Sequence, residues 1–234
     1  MDNPWLHIPL ADYEGHMGLP QIGQDRMLAD VFAAALERYR PGSVAVLGCA
    51  GGNGFERIAT DVTRRVVGVD LNPGYIREAR ARFGGRLPGL ELFAGDVQVK
   101  DFAFTPVELV YAGLLFEYVE VDTVLTRIRA MLRSGGTLLT VVQLPCAATP
   151  EVTGSPYASL GELASIMRLV APGSLKRAAD ALGYRETDAY TVQSAGGKGF
   201  RIQSFRQEDC GGPQPATGDD RTERNETTAD GAEG

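Results

Sequence analysis

The residues that most directly suggest chemistry are the small ones in the stretch SVAVLGCAGGNGFERI, residues 43–58. An apolar segment typical of a buried strand runs into five glycines and alanines between positions 48 and 54, and a helical pattern follows. A backbone with so few side chains lets a ligand approach the main chain closely. The stretch therefore predicts a binding loop, and the spacing of its glycines bears on whether the ligand carries phosphate.

Phosphate-bearing nucleotides do not match this spacing. A Walker loop needs Gly-Lys-Ser/Thr after four spacer residues, and no such sequence is present. A dinucleotide fingerprint G-x-G-x-x-G that begins at Gly48 would require glycine in place of Ala50 and Asn53, and one that begins at Gly52 would end on Arg57. The residues thus exclude ATP or GTP bound by a Walker loop, and they argue against NAD.

The spacing Gly48-x-Ala50-x-Gly52 is close to the G-x-G-x-G of class I S-adenosylmethionine-dependent methyltransferases, and the chain resembles that family. VAVLGCAGG is similar to the family's first motif, usually of the form VLDLGCGTG, and MLRSGGTLLTVVQ is similar to a late Gly-Gly turn that feeds the fifth strand. The resemblance covers residues 23–206. It implies S-adenosyl-L-methionine, which has no phosphate, as the cofactor, contacted in this loop by Gly48, Cys49, Ala50 and Gly52.

The resemblance also assigns a role to Asp70, which ends the second predicted strand 22 residues after Gly48. An acid at this position in the family accepts hydrogen bonds from both ribose hydroxyls, and Leu71 follows it beside the cofactor. A carboxylate suits a diol because it only accepts, and each charge-assisted bond contributes roughly 1.5–3 kcal/mol. The alternative is that Asp70 caps the helix that starts near Asn72.

Asp96, in LFAGDVQ, separates this family from NAD-binding folds, which also place an acid near the position of Asp70. The resemblance implies that Asp96 binds the adenine amino group and that the N–H of Val97 lies near a ring nitrogen. The alternative is an ordinary turn aspartate after Gly95.

Two departures from the family pattern affect this prediction. Val46 stands where the family usually has an acid within the first strand, so a common contact to the amino end of the cofactor is missing. Ala50 stands where the middle glycine is usual, and its methyl group is tolerable if φ is negative there. We therefore expect cofactor binding to be weaker, or to use other groups.

Methyl transfer mainly requires alignment of the acceptor atom, the methyl carbon and the sulfur, and positioning alone can supply about 7–11 kcal/mol. The segment YAGLLFEYVEVD follows the fourth strand, where the resemblance puts Gly113 beside the cofactor and makes Glu117 a candidate base. The alternative for Glu117 is an exposed glutamate at a helix start. The Asn-Pro-Pro-Tyr motif of enzymes that methylate amino groups of adenine, cytosine or glutamine does not occur here.

The N-terminal stretch WLHIPLADYEGHMGLPQIGQ contains both histidines and the only tryptophan. By the same resemblance, residues 1–22 would fold over the cofactor as a lid. Tyr13 would then present its ring to the sulfonium, and His16 would serve as a base near neutral pH. The alternative is an arm that only packs against the domain.

Strand and helix patterns alternate along residues 23–206, which predicts an α/β fold with a doubly wound, mostly parallel seven-stranded sheet and an antiparallel last strand. Ligands bind such sheets at the carboxyl ends of the strands. The predicted strands are SVAVL, RRVVGVD, LELFAGD, VELVYAG, GGTLLTVVQL and two more near residues 184–192 and 200–206. The predicted helices are residues 23–39, NGFERIAT, NPGYIREARARF, VDTVLTRIRAML, 160–170 and 174–182.

Charge is concentrated at the C-terminus. Residues 207–234 hold eight acids and two bases, account for −6 of the net charge of −7, and contain no aromatic, Leu, Ile, Val or Met, so we predict a disordered tail. The near-neutral remainder lacks a basic stripe, which argues against a nucleic-acid partner. Three scattered cysteines predict neither a disulfide framework nor a metal site. The absence of a signal peptide or an 18-residue apolar run predicts a cytoplasmic protein.

The leading hypothesis is therefore methyl transfer from S-adenosylmethionine to a small-molecule acceptor. One alternative is a methyltransferase for a protein side chain, although no extra domain supplies a peptide groove. Another is a non-catalytic S-adenosylmethionine-binding protein, which the missing acid at Val46 makes conceivable. The sequence does not specify the acceptor atom or the oligomeric state.

Overall fold

A computed structural model of the chain describes residues 3–146 and 150–208. Within these ranges one seven-stranded sheet is packed between α-helices. The strands are β1 Ser43–Leu47, β2 Arg65–Asp70, β3 Leu90–Ala94, β4 Val107–Gly113, β5 Leu132–Gln143, β6 Tyr184–Gln193 and β7 Gly199–Gln207. The α-helices are α1 Leu10–Met17, α2 Gln24–Tyr39, α3 Pro73–Phe83, α4 Val121–Met131 and α5 Pro172–Ala181. The 3₁₀ helices are Pro4–Leu6, Phe55–Arg57, Phe116–Tyr118 and Ala158–Ser165.

The strand order is β3-β2-β1-β4-β5-β7-β6, and β7 is antiparallel to both of its neighbours. The predicted fold class is therefore confirmed, including the antiparallel last strand. The order reverses between β1 and β4, which are parallel neighbours. This reversal opens a crevice at the carboxyl ends of the strands, where the glycine loop leaves β1.

Strand β1 shows why the centre of the sheet is buried on both faces. Val44 and Val46 point into one core with α2 and α3, while Ala45 and Leu47 point into a second core with α4 and α5. All four are at most 4% exposed. A continuous apolar run is what a parallel strand between two helical layers requires.

Two helix predictions are wrong. NGFERIAT forms only the short 3₁₀ helix Phe55–Arg57, because Gly52 and Gly54 adopt left-handed φ values of 90° and 84° and turns continue to residue 62. The helix predicted over 160–170 is instead the 3₁₀ helix Ala158–Ser165, followed by irregular chain. Pro172 disfavours helical geometry for the residue before it, so α5 begins anew there.

The N-terminal arm, residues 3–22, lies across the carboxyl edge of the sheet. The side-chain amide of Asn72 donates to the Trp5 carbonyl at 2.9 Å, and the Tyr75 hydroxyl donates to the Ile8 carbonyl at 2.9 Å. Glu14 and Arg82 form an ion pair, with Oε2 and Nη2 3.0 Å apart. The arm is thus attached to α3 and to the turn before it.

The C-terminal boundary differs slightly from the predicted one. Strand β7 extends to Gln207, and the N–H of Glu208 donates to the Gly183 carbonyl at 2.9 Å. The remainder of the predicted acidic tail, residues 209–234, lies outside the described residues.

Candidate active site

A first cavity lies at the carboxyl ends of β1, β2, β3 and β4, beneath the arm. Its empty volume is about 730 Å³, part of which is open to solvent. The predicted cofactor residues that line it are Gly48, Ala50, Asp70, Leu71, Asp96, Val97 and Gly113, together with Tyr13 from the arm.

The glycine loop at this cavity is held by β2. The N–H groups of Gly48 and Cys49 donate to the Val69 carbonyl at 2.8 and 3.1 Å, and Gly48 has a φ of 72° that suits glycine. Ala50 has a φ of 47°, so the negative φ that would make its methyl group tolerable is not observed. Left-handed geometry costs a residue with a Cβ roughly 1–2 kcal/mol. A bond of 2.8 Å from the Ala50 N–H to Asp70 Oδ2 helps to hold this geometry.

Asp70 ends β2 and lines the first cavity. Its Oδ2 accepts from the Ala50 N–H, and its Oδ1 accepts from the Asn72 N–H, both at 2.8 Å. Each oxygen retains a further lone pair for a ligand. Burial raises the pKa of Asp70 to about 6 although these two bonds oppose the shift. The N-cap of α3 is Asn72, whose own side chain accepts from the Gly74 N–H.

Asp96 and Asp70 border the same cavity, as two residues that bind one ligand must. The Oδ1 atom of Asp96 accepts from the Gln98 N–H at 2.8 Å, which fixes the carboxylate at the end of β3. Val97, 6% exposed, supplies an apolar wall beside it. The two carboxylates and the glycine loop therefore surround a single space.

Cys49 and Gly52 do not line the first cavity. Cys49 is 2% exposed and packs beneath the loop, where a Cβ built on Gly68 would lie 3.1 Å from its Sγ. Its N–H is also occupied by Val69. Gly52 faces Phe83, with a built Cβ 2.7 Å from the ring. Cys49 therefore lies beneath the loop, whereas Gly52 lines a third cavity between the arm and the glycine loop.

Aromatic rings separate the first cavity from a second one. The ring centroids of Trp5 and Tyr13 are 5.5 Å apart, those of Trp5 and Tyr118 are 5.2 Å apart, and both pairs meet edge to face. All three residues line both cavities. Burial raises the pKa of Tyr13 and of Tyr118 well above the usual range, so both rings stay neutral. Sequence reasoning gave Trp5 no role, although it is the only tryptophan in the chain.

The second cavity, with about 550 Å³ of empty space, lies between the arm, the end of β5 and the chain after Pro150. His16 lines it, is 8% exposed, and its Nδ1 has no hydrogen-bond partner among the described residues. Burial and the nearby positive charge of Lys198 lower the pKa of His16, so the imidazole is neutral near pH 7. Lys198 was missed from the sequence because SAGGKG reads only as a connection between strands.

Glu117 lines neither cavity. It is 1% exposed, not an exposed glutamate at a helix start, and its Oε1 accepts from the Gln143 N–H at 2.6 Å. Burial raises the pKa of Glu117 to about 7, against the effect of that hydrogen bond. Because the carboxyl group is enclosed by β5, the structure gives the predicted base no contact with a ligand space.

Leu114 marks the junction of the two cavities. It follows β4, lines both spaces, and has a φ of 54°, which is unusual for a residue with a branched side chain. Its N–H donates to the Val141 carbonyl at 2.9 Å. Strained backbone that is held in this way is concentrated at functional sites.

Comparison with known proteins finds a family model that matches part of the chain. Residues 44–136 match the family model of a methyltransferase domain. The segment that matches contains the glycine loop and both cavity aspartates. No curated protein matches the chain.

Solved structures agree with this fold. The N-methyltransferase NodS from Bradyrhizobium japonicum WM9, in complex with S-adenosyl-L-homocysteine, is 17% identical, with 89% of this chain and 100% of that chain covered and a TM-score of 0.64. Magnesium protoporphyrin IX methyltransferase from Synechocystis PCC 6803, with bound S-adenosylhomocysteine, is 13% identical. The match covers 80% of this chain and 84% of that chain, with a TM-score of 0.59. The [4+2]-cyclase SpnF is 16% identical. The match covers 79% of this chain and 82% of that chain, with a TM-score of 0.61.

The partial match to a methyltransferase-domain model and the shared fold agree with the resemblance to class I S-adenosylmethionine-dependent methyltransferases. At identities below 20% the solved structures show the fold alone, and one of them is a cyclase, so they do not identify the acceptor.

The described residues, 3–146 and 150–208, contain neither a membrane-spanning helix nor a cluster of metal-ligating side chains. No helix in these ranges is long and apolar enough to cross a bilayer. The same residues contain no group of three or more His, Cys, Asp or Glu side chains arranged to hold a metal ion.

Proposed function

We propose that this protein transfers a methyl group from S-adenosylmethionine to a small-molecule acceptor. The observation that carries the proposal is the pair of adjoining cavities, one bordered by the glycine loop, Asp70 and Asp96, and the other containing His16. A cofactor in the first cavity would lie directly beside an acceptor in the second. The arm covers both.

The lining of the first cavity fits an adenosyl group. Asp70 is a buried carboxylate with free lone pairs, which suits the two ribose hydroxyls, and Asp96 at the end of β3 suits the adenine amino group. The backbone of Gly48 and Gly113 allows the ligand to approach β1 and β4 closely. Val97 and Leu71 would pack against the adenosyl group.

The third cavity, between the arm and the glycine loop, suits the methionine end. Its empty volume is about 630 Å³, and it shares Tyr13 and Ala50 with the first cavity. Glu14, Asp25 and Arg82 line it. We propose that these acids take the place of the strand acid missing at Val46 and pair with the ammonium group, while Arg82 faces the carboxylate.

The rings between the cavities suit a sulfonium. Tyr13 and Tyr118 are neutral aromatic rings, and a cation near such a ring gains about 0.5–2 kcal/mol. On transfer, the acceptor gains the methyl group, the sulfur keeps the bonding electron pair, and the proton of the acceptor atom must leave. The neutral imidazole of His16, which lines the second cavity, would receive that proton.

A small acceptor fits better than a protein side chain. The second cavity is lined by the arm, by Leu160 and Leu163, and by the chain around residue 152. A peptide would have to displace the arm, which is bonded to α3 through Asn72 and Tyr75.

The test has two stages. Calorimetry with S-adenosylhomocysteine measures cofactor binding for the native protein, for Asp70→Asn, and for Asp61→Asn as a matched change at an exposed aspartate away from the cavities. We expect binding by the native and Asp61→Asn proteins and severe weakening in Asp70→Asn. A labelled-methyl screen against small molecules and peptides then measures transfer.

Three results would contradict the proposal. If the native protein does not bind S-adenosylhomocysteine, S-adenosylmethionine is not its cofactor. Binding without transfer to any acceptor would favour a non-catalytic protein. Transfer to peptides alone would favour the protein-directed alternative.

A further inference from the structure

The polar end of the second cavity contains a buried cation. Lys198, in the connection between β6 and β7, is 4% exposed, and its Nζ donates to the Glu151 carbonyl at 2.6 Å. Among residues 3–146 and 150–208 no carboxylate lies within ion-pair distance of this Nζ, and the Glu151 side chain is exposed. Lysine is almost never buried without a partner. Two of its three N–H groups are left for a ligand.

Two further polar side chains at this end also lack partners. Gln24, 7% exposed, makes no side-chain hydrogen bond within the described part of the chain, and the Nδ1 of His16 has none either. Buried polar groups are normally hydrogen-bonded, so the unpartnered Nδ1 of His16 needs an explanation, and the Gln24 amide is available to a ligand in the same cavity. Lys198 and the Gln24 amide are donors, and a ligand that satisfies them must accept hydrogen bonds.

The remainder of the second cavity is mostly apolar. A ligand would therefore need an apolar body as well as an accepting group, which together describe an amphipathic small molecule. The apolar side chains in the lining are Met17, Leu114, Val152, Leu160, Leu163 and Met167.

We propose that the acceptor is a small apolar molecule with a carboxylate group, and that this carboxylate pairs with the ammonium group of Lys198 in the second cavity. One cation and one amide match a single negative charge, whereas a phosphate would need more donors. Burial lowers the pKa of Lys198, and a carboxylate bound beside it would favour the charged form. The inference rests on the proposed function, because it concerns the acceptor of that reaction.

The test compares matched probes in the full-length protein saturated with S-adenosylhomocysteine. Benzoate, phenylacetate, 3-phenylpropionate and octanoate are each titrated beside the corresponding neutral amide, with calorimetry as the readout. We expect at least one carboxylate to bind about tenfold more tightly than its amide, as one charge-assisted bond provides.

Variants at Lys198 test whether carboxylate binding needs the charge of this side chain or only its hydrogen bond to the Glu151 carbonyl. Lys198→Met removes both the charge and the bond to Glu151, whereas Lys198→Gln is neutral and keeps a donor for that carbonyl. We expect both variants to lose the preference for the carboxylate while the affinity for S-adenosylhomocysteine is unchanged. Lys176→Met, a change at a half-buried lysine that lies away from the cavities and pairs with Asp180 on α5, should keep the preference.

The outcomes distinguish this inference from the function on which it rests. Equal binding of carboxylates and amides, binding of neither, or a preference that survives in Lys198→Gln would overturn the inference and leave cofactor binding intact. A native protein that does not bind S-adenosylhomocysteine would overturn the proposed function, and this inference with it.

Discussion

The first and second cavities meet at Tyr13, Leu114 and Tyr118, but different parts of the chain form them. The first is lined mainly by the turns that end β1, β2, β3 and β4, and its charged groups are the carboxylates of Asp70 and Asp96. The second is lined mainly by the arm, by the chain between β5 and α5, and by the β6–β7 connection, and its buried charge is an ammonium group.

This difference separates what the fold supplies from what is particular to this chain. Any sheet with this strand order brings the ends of β1 to β4 together, so the first cavity follows from topology. The second depends on segments that the sheet does not require. We therefore expect substitutions in the two cavities to affect cofactor binding and acceptor chemistry separately.

The largest effect is expected at Asp70. Asp70→Ala should weaken binding of S-adenosylhomocysteine at least about a hundredfold, because two hydrogen bonds to a charged acceptor are lost. Calorimetry measures the affinity, and Asp61→Ala, at an exposed position, is the control. An unchanged dissociation constant in a folded Asp70→Ala protein would remove Asp70 from the ribose site.

A substitution at His16 should have the opposite pattern of effects, because it should slow methyl transfer and leave cofactor binding almost unchanged. His16→Asn should reduce the methyl-transfer rate about a hundredfold, the lower range for general-base catalysis, with little change in cofactor affinity. Single-turnover measurements with an acceptor from the labelled-methyl screen check the rate. If the rate is unchanged, or if cofactor binding falls equally, His16 is not a base confined to the second cavity.

A smaller change in the affinity for S-adenosylhomocysteine is expected when the pH is lowered. Asp70 has a pKa of about 6 in the ligand-free protein, and ribose hydroxyls donate to the ionised carboxylate. Affinity for S-adenosylhomocysteine should therefore be constant above pH 6 and fall about tenfold for each pH unit below it. The residual affinity of Asp70→Asn should show no such dependence, and an equal pH slope in that variant would assign the titration to another group.

The titration of Asp70 also changes the free energy of unfolding. This free energy should fall as the pH rises, whereas the affinity for S-adenosylhomocysteine should increase. Because the folded pKa of Asp70 lies above the unfolded value of 3.8, the folded state binds the proton more tightly. The contribution of Asp70 to the free energy of unfolding is therefore largest below about pH 4, falls as the pH rises to about 6, and is constant beyond. Denaturant titrations of the native protein and Asp70→Asn across this range measure the difference.

The smallest effect is expected at Ala50. Ala50→Gly should raise the free energy of unfolding by about 1 kcal/mol, because glycine adopts the observed φ of 47° without a Cβ clash. Denaturant unfolding of the two proteins checks this value. Destabilisation instead would mean that the loop does not strain the alanine.

The sequence predicted the parts of this molecule that depend on local pattern. Apolar runs and Gly-Pro boundaries located the strands, and the ends of the second and third strands located Asp70 and Asp96 at one cavity. The helix after β1 was wrong because the glycines between 51 and 54 adopt turn geometry that overrides the helical pattern.

Side-chain direction and long-range contacts were harder to predict. Cys49 lies within the glycine motif, but its side chain turns into the core against Gly68. Glu117 resembles a surface residue until β5 encloses it. Lys198 is separated from His16 by more than 180 residues, and only the folded arm brings the two together at one cavity.

The most direct test of the central claim is a crystal structure of the protein with S-adenosylhomocysteine. We predict that the ribose hydroxyls will lie within hydrogen-bond distance of Asp70, that the adenine amino group will contact Asp96, and that the sulfur will face the second cavity beside Tyr13. A ligand bound outside the first cavity, or an adenosyl group that contacts neither aspartate, would contradict the account.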